Sequence, residues 1–313
     1  MSMKNETRVT EFILLGFGDL HSFNVVFFIF FLIVFLFTVM GNLLIILLVS
    51  LTAQLRSPMY YFLCHLSVSD LVLSTNILPN MLSAILLGGT TISYVDCIAQ
   101  LYFFTGTAFT ECFLLPVMSY DRYLAICNPL RYSSIMVMKC QICLSLWPWL
   151  LGLTLNLIGV LPISSYNFCR DNIIDHFYCE VFPLLKLSCS DSSLVELEAF
   201  LFSLPIFILP CGFIIVTYVF IVLTIVRIPT TSGKQKTFST CSSHLIVVGT
   251  FYGTLIAKYM IPSQGLLRRA LRSLLINKIV SLLHTVFTPL FNPIIYSLRN
   301  QDIKMALKKL SYL

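Results

Sequence analysis

Three groups of residues in this chain carry chemistry that an apolar core does not need. Asp121-Arg122-Tyr123 stands inside MSYDRYLAICNPLRY, residues 118–132, where an acid, a base and tyrosines close a long apolar run. Lipid tolerates such a charge pair only at the water boundary or with protein partners. Asp70 lies deep in another apolar stretch and Glu111 deeper in the one that Asp121 closes, near Asn42 and Asn292 in depth. Two carboxylates in hydrocarbon must face inward and share a small cation such as sodium, a proton or hydrogen bonds. Cys97, Cys169, Cys179 and Cys189 flank or occupy polar segments, which suits oxidised extracellular thiols. Four cysteines allow three pairings, and their spacing does not choose among them.

Enzyme chemistry is poorly supplied. Cys140-Gln141-Ile142-Cys143 matches C-x-x-C, but it opens an apolar helix with no second pair and no nearby histidine, so metal or redox use is not expected. Ser243-His244 has no positioned acid and no elbow motif, and no glycine-rich phosphate cradle is present. No catalytic residue is assigned, and no cofactor is expected beyond the sodium ion that Asp70 and Glu111 would hold.

The elements that must position these residues are membrane helices. Of 313 residues, 58% are hydrophobic and only 11% charged, about half the charge of a soluble domain. Seven runs approach the roughly 20 residues that a bilayer crossing needs: about 23–50, 58–87, 94–127, 141–161, 194–226, 237–260 and 273–297. Pro205, Pro210, Pro289 and Pro293 fall inside the fifth and seventh, where neighbouring helices can satisfy the carbonyls they free. The expected fold is an all-α membrane protein over 1–313. Its extracellular N-terminus is 1–22, its seven-transmembrane helix bundle 23–297 and its cytoplasmic tail 298–313.

Orientation follows from the connectors. Arg56, Arg131, Lys139, Arg227, Lys234, Lys236 and the tail cations lie on one side, which the positive-inside rule makes cytoplasmic. The N-terminus is then outside, with its sequon at Asn5 available for glycosylation, and the first span has no cleavable leader before it. The predicted third outer loop is an exception: Arg268, Arg269 and Arg272, close to Lys258 and Lys278, would form a basic mouth or touch lipid headgroups. In the tail, Ile303, Met305, Ala306, Leu307 and Leu310 among lysines suit a short amphipathic C-terminal helix on the inner leaflet. The basic residues do not gather with aromatics, so nucleic acid is not an expected partner.

At 1.5 Å per residue, Cys97 lies about 36 Å from Asp121, and Glu111 about 15 Å above it. The polar layer and the charge pair are therefore separate devices on one helix. Pro116 stands between them and should bend it.

Gly41-Asn42, LRSPMYYFLCHLSVSDL (55–71), MSYDRYLAICNPLRY (118–132), KTFSTCSSHL (236–245) and PLFNPIIYSLRN (289–300) follow one another in this order. Together they resemble the odorant receptors, a branch of the rhodopsin-like G-protein-coupled receptors, over nearly the whole chain. The resemblance implies a plasma-membrane receptor that takes small, mainly apolar volatile odorants and activates a stimulatory, olfactory-type G protein to raise cAMP. It implies that Asp121 holds Arg122 at rest, that Arg122 then turns toward Tyr218, and that Tyr296 of the Asn292-Pro293 segment swings inward, with Tyr123 beside the switch. It implies bridges Cys97–Cys179 and Cys169–Cys189. For the ligand it points to Phe104, Thr105, Ala108 and Phe109 on span three, and to Phe202, Ser203 and Ile206 on span five. Tyr252, Leu255 and Tyr259 on span six and Thr285 on span seven complete that set. Phe104 stands where amine receptors place a carboxylate, which disfavours amines, and proline at 116 and 148 departs from the family's habit. The competing reading is an ion channel or transporter using Asp70 and Glu111; no internal repeat supports it.

Overall fold

The computed structural model describes residues 9–18, 21–168, 172–189, 193–259 and 274–310. Asn5, Cys169 and Arg268, Arg269 and Arg272, which the sequence singles out, lie outside the described residues, as does the side chain of Tyr259.

Long helices dominate. They are α1 (Asn24–Leu51), α2 (Pro58–Leu87), α3 (Tyr94–Cys127), α4 (Met138–Ser164), α5 (Ser193–Arg227) and α6 (Thr231–Tyr259). The last span, α7, is assembled from Leu274–Leu282, a π-helical turn at Leu283–Phe287 and Thr288–Arg299, and α8 is Gln301–Leu310. Six of these helices are long and apolar enough to cross a membrane on length and composition. α6 is the exception, because it starts with Lys234, Lys236 and a run of hydroxyl residues to Ser243. Large apolar side chains such as Phe37, Leu150 and Leu209 face outward on the spans, as lipid contact requires.

Local chemistry sets the ends. Pro58 opens α2 at a position that needs no N–H, and Gly88 closes it with φ of 73°. Ser93 caps α3: its Oγ accepts from the Asp96 N–H at 3.1 Å and donates to Asp96 Oδ2 at 2.6 Å. In its most apolar stretch α3 is 72% buried, against 28% for α1 and α4, so α3 is the central post. α4 approaches it closely. A Cβ on Gly152 would stand 2.7 Å from the Thr110 backbone nitrogen, and one on Gly106 would stand 2.9 Å from Leu153 Cδ2. Small residues allow that contact in a medium where dispersion rather than water drives helix packing.

The prolines inside the spans are accommodated by neighbours. Pro293 frees the carbonyl of Pro289, which accepts from Asn42 Nδ2 of α1 at 3.1 Å. Pro116 frees the carbonyl of Cys112, which accepts from the Tyr252 hydroxyl of α6 at 3.0 Å. α3 runs through Pro116 without a break in helical assignment.

One feature departs from an all-helical expectation. A three-stranded sheet with order β2-β1-β3 covers the outer end, built from β1 (Glu11–Leu14), β2 (Thr90–Ser93) and β3 (Ile173–Ile174). β1 runs antiparallel to β2 and parallel to β3, and it buries Phe12 and Leu14 completely. The N-terminal segment is thereby sewn between the first and second outer loops. At the other end, α8 turns Ile303 and Ala306 into the bundle core beside Leu55 and Met59 and leaves Met305 exposed. Part of its apolar face therefore packs on protein rather than on the leaflet.

Candidate functional site

The charge pair at the inner end of α3 is clamped from two sides. Arg122 Nε donates to Asp121 Oδ2 at 3.0 Å and its Nη2 bonds the same oxygen. Asp121 Oδ1 accepts from the Tyr132 hydroxyl at 2.8 Å. Tyr132 sits in the short helix Pro129–Ile135 that follows α3, and burial together with Asp121 raises its hydroxyl above the usual tyrosine range. Tyr218 on α5 is engaged elsewhere: its hydroxyl bonds His244 Nδ1 at 2.7 Å, with the two rings stacked. Tyr296 is already fully buried, and its hydroxyl has no hydrogen-bond partner among the described residues. Tyr123 points away from the pair, stacking on Tyr120 and meeting Phe220 of α5 edge-on. Tyr132 and His244 are members that the sequence reading did not assign, although both lie inside quoted motifs.

The polar layer divides into linked pairs. Asn292 Nδ2 reaches both Asp70 oxygens, at 3.1 and 3.0 Å, and Glu111 Oε1 accepts from Ser69 Oγ at 2.8 Å. Asn42 turns to the Thr38 and Pro289 carbonyls rather than to a carboxylate. Asp70 and Glu111 are both buried, and among the described residues no lysine or arginine pairs with either. Asn42 Oδ1, Asn292 Oδ1 and Ser74 Oγ are buried without hydrogen-bond partners among the described residues. Hard oxygen donors of this kind fit sodium or a shared proton.

At the outer end the disulfide Cys97–Cys179 ties the second outer loop to α3. Cys189 is also disulfide-bonded. The tethered loop carries Glu180 inward, where its Oε1 stands 3.1 Å from Lys258 Nζ of α6, with both side chains buried. Lys258 also bonds the Tyr178 hydroxyl and lies 4.8 Å above the Phe104 ring. His176 Nε2 is 3.5 Å from Glu180 Oε2. Burial alone would raise the Glu180 carboxyl, but the Lys258 ammonium outweighs it and holds it below the usual range. Burial lowers the His176 imidazole to about 4, opposed by Glu180 and reinforced by Lys258 and Lys278. Lys278 pairs with Asp175 at 2.6 Å. The two lysines read as part of a basic mouth are thus committed to acids of the second outer loop.

A cavity of about 300 Å³ opens between α3, α4 and α5 beneath Val181 and Phe182. Of the residues the sequence offers for a ligand, Thr105, Phe109, Phe202 and Ser203 line it. The remaining expected positions lie elsewhere. Phe104 packs on Tyr178, Tyr252 is bonded to Cys112, and Leu255 belongs to the inner core cluster. Thr285 donates to the Ser281 carbonyl, and Ala108 and Ile206 are buried away from the lining. In their place stands a wall of α4 that sequence reasoning missed, including Asn156, Ile158, Val160 and Ile163. The only signal for it was Asn156, an amide in the middle of an apolar span.

Comparison with known proteins agrees with this architecture. The sequence pattern of the olfactory receptor family matches residues 31–312. Human olfactory receptor 11L1 is 46% identical over 310 residues, covering 99% of this chain and 94% of that protein. Human olfactory receptor 6Q1 is 44% identical over 306 residues, covering 97% and 95%, and mouse olfactory receptor 6B9 is 42% identical over 307, covering 98% and 95%. With apolar helices that make it a multi-pass membrane protein, a tethered outer loop and a clamped arginine at the inner end of α3, the chain belongs to the olfactory receptor family.

Proposed function

We propose that this receptor sits in the plasma membrane with its N-terminus outside, binds a small, mainly apolar volatile in the cavity between α3, α4 and α5, and raises cAMP through a stimulatory G protein. The observation that carries the signalling half is the arrangement around Arg122. The guanidinium is held by Asp121, which Tyr132 also engages, while Tyr218, its alternative partner, is occupied by His244. A buried arginine with two partner sets is a bistable element that a ligand can bias. The orientation rests on the outer disulfide at one end of the bundle and the Lys- and Arg-bearing connectors at the other.

The Asp70 and Glu111 layer is read as a sodium site within the same switch, supported by two buried carboxylates and the partnerless Oδ1 of Asn292, whose Nδ2 is bonded to Asp70.

Arg122→Ala, expressed in cells and assayed for cAMP, should reach the surface normally and lose the odorant response. Undiminished signalling at equal surface expression would overturn the switch. A current that persists after the G protein is removed would favour the channel reading instead.

A further inference from the structure

Among the described residues, the hydroxyls and the amide that line the cavity between α3, α4 and α5 direct their hydrogen bonds into the protein. Thr105 Oγ1 lies 2.6 Å from the Leu101 carbonyl and 2.5 Å from Asn156 Oδ1. A threonine hydroxyl has one proton, so whichever acceptor takes it, the proton stays inside the protein. Ser203 Oγ is in the same position, 2.5 Å from the Ala199 carbonyl and 3.1 Å from that of Phe200. This back-bonding is the usual satisfaction of hydroxyls on a membrane helix. Asn156 Nδ2 is drawn to α3: one N–H donates to the Tyr102 carbonyl at 2.6 Å, and the nitrogen lies so close to Gly106 that a Cβ there would stand 3.2 Å from it. The remaining polar side chain, Glu198 near the start of α5, is an exposed carboxylate. The rest of the wall is apolar or aromatic, with Phe109 and Phe207 in edge contact.

A ligand entering this space therefore meets more oxygen lone pairs than donors among the described residues. A carbonyl or ether oxygen buried here would lose its water and compete for the one remaining N–H of Asn156, which lies against α3. A hydroxyl would lose its water and gain an acceptor. Resting on the reading that this cavity is the odorant site, we infer that the receptor selects neutral hydrogen-bond donors: alcohols or phenols whose O–H donates to Thr105 Oγ1 or Ser203 Oγ. A space of about 300 Å³ equals that of about ten waters, which sets the ligand at roughly ten non-hydrogen atoms. An ammonium group could also donate, but among the described residues the only anion of the wall is Glu198, which is exposed rather than enclosed.

The test offers the full-length receptor, in cells with a cAMP reporter, a panel of matched sets. Each set carries one skeleton of eight to twelve carbons as the alcohol, the ketone, the methyl ether, the carboxylic acid and the primary amine. The alcohols should be at least tenfold more potent than their ketones and ethers. Thr105→Val together with Ser203→Ala should erase that ratio by weakening the alcohols at least tenfold relative to their ketones, at equal surface expression. Ketones or ethers matching the alcohols, or acids or amines exceeding them, would overturn the inference. Gly159→Leu separates this from failure of the site itself, because it adds a side chain on the cavity wall facing Phe202. Loss of all responses in Gly159→Leu with no alcohol preference in the parent would sink the donor rule alone. Unchanged responses in Gly159→Leu, at equal surface expression, would sink both.

Discussion

The contact between Tyr252 and Cys112 makes Pro116 a control element whose worth can be measured. Pro116 has no N–H, so the Cys112 carbonyl one turn earlier loses its intrahelical partner, and the Tyr252 hydroxyl fills the vacancy at 3.0 Å from the neighbouring helix. The bond joins α3 to α6, both buried at that depth. If activation carries α6 away from α3, the carbonyl is left bare in a medium without water. An unsatisfied buried acceptor costs about 1–3 kcal/mol. At about 1.4 kcal/mol per factor of ten, the resting arrangement is favoured by roughly fivefold to a hundredfold through this one bond. Tyr252→Phe removes it and should raise basal cAMP per surface receptor by about tenfold. In a Pro116→Ala background the helix satisfies its own carbonyl, so the same Tyr252→Phe change should alter basal signalling by only about twofold, the low end of a net hydrogen bond. The assay is basal reporter output in transfected cells, normalised to surface receptor, for the parent, both single variants and the double variant. An equal rise in the two backgrounds, or none in the Pro116 background, would refute the coupling.

Three further outcomes are expected. At 3.1 Å and an effective dielectric near 20, the Lys258–Glu180 attraction is about 5 kcal/mol before desolvation. Lys258→Met leaves a buried carboxylate unpaired and should destabilise the receptor by about 3–5 kcal/mol. Adding Glu180→Gln should recover most of the lost thermal midpoint in detergent; a single variant melting with the parent would contradict the pair. His176 is held neutral with its imidazole lowered from 6.5 to about 4, so below about pH 6.5 the unfolded chain takes up a proton that the folded one refuses. Stability should fall by about 1.4 kcal/mol per pH unit between about 6.5 and 4. Glu180, depressed by Lys258, adds to the loss only once the pH falls through the carboxylate range. His176→Gln should flatten the thermal midpoint over that upper window, and a slope unchanged by the substitution would assign the acid sensitivity elsewhere. Finally, Asp70→Asn should make agonist potency insensitive to exchanging sodium for a larger organic cation, and retained sodium sensitivity would remove the ion from the polar layer.

Much of the architecture was legible in the chain. The apolar runs marked the spans because crossing length depends only on consecutive residues, and α1, α2 and α3 lie close to the boundaries read from them. Depth was legible too, since a fixed rise per residue separates Glu111 from Asp121 wherever the helix points. The Cys97–Cys179 bridge was implied only through the family resemblance, and the structure contains it. The cavity was read less fully. Thr105, Phe109, Phe202 and Ser203 line it, while Tyr252 serves α3 and Phe104 serves Lys258. Periodicity tells which residues share a face of a helix, but not which neighbour that face meets.

What the sequence alone determined was therefore one-dimensional: how many apolar stretches there are, which end bears the cations, and how far each polar group stands from the ends. Only the tertiary structure decided the rest. It rotated α4 so that Asn156 walls a cavity, brought Asn42 to the carbonyl that Pro293 frees, and set Tyr252 against the one that Pro116 frees. It also threaded β1 between two outer loops and drove Glu180 onto Lys258. The physical reason is that each of these depends on the rotation of a helix about its axis and on the identity of its neighbour. Close packing at sites such as Gly152 against Thr110 settles both, and no single segment encodes them.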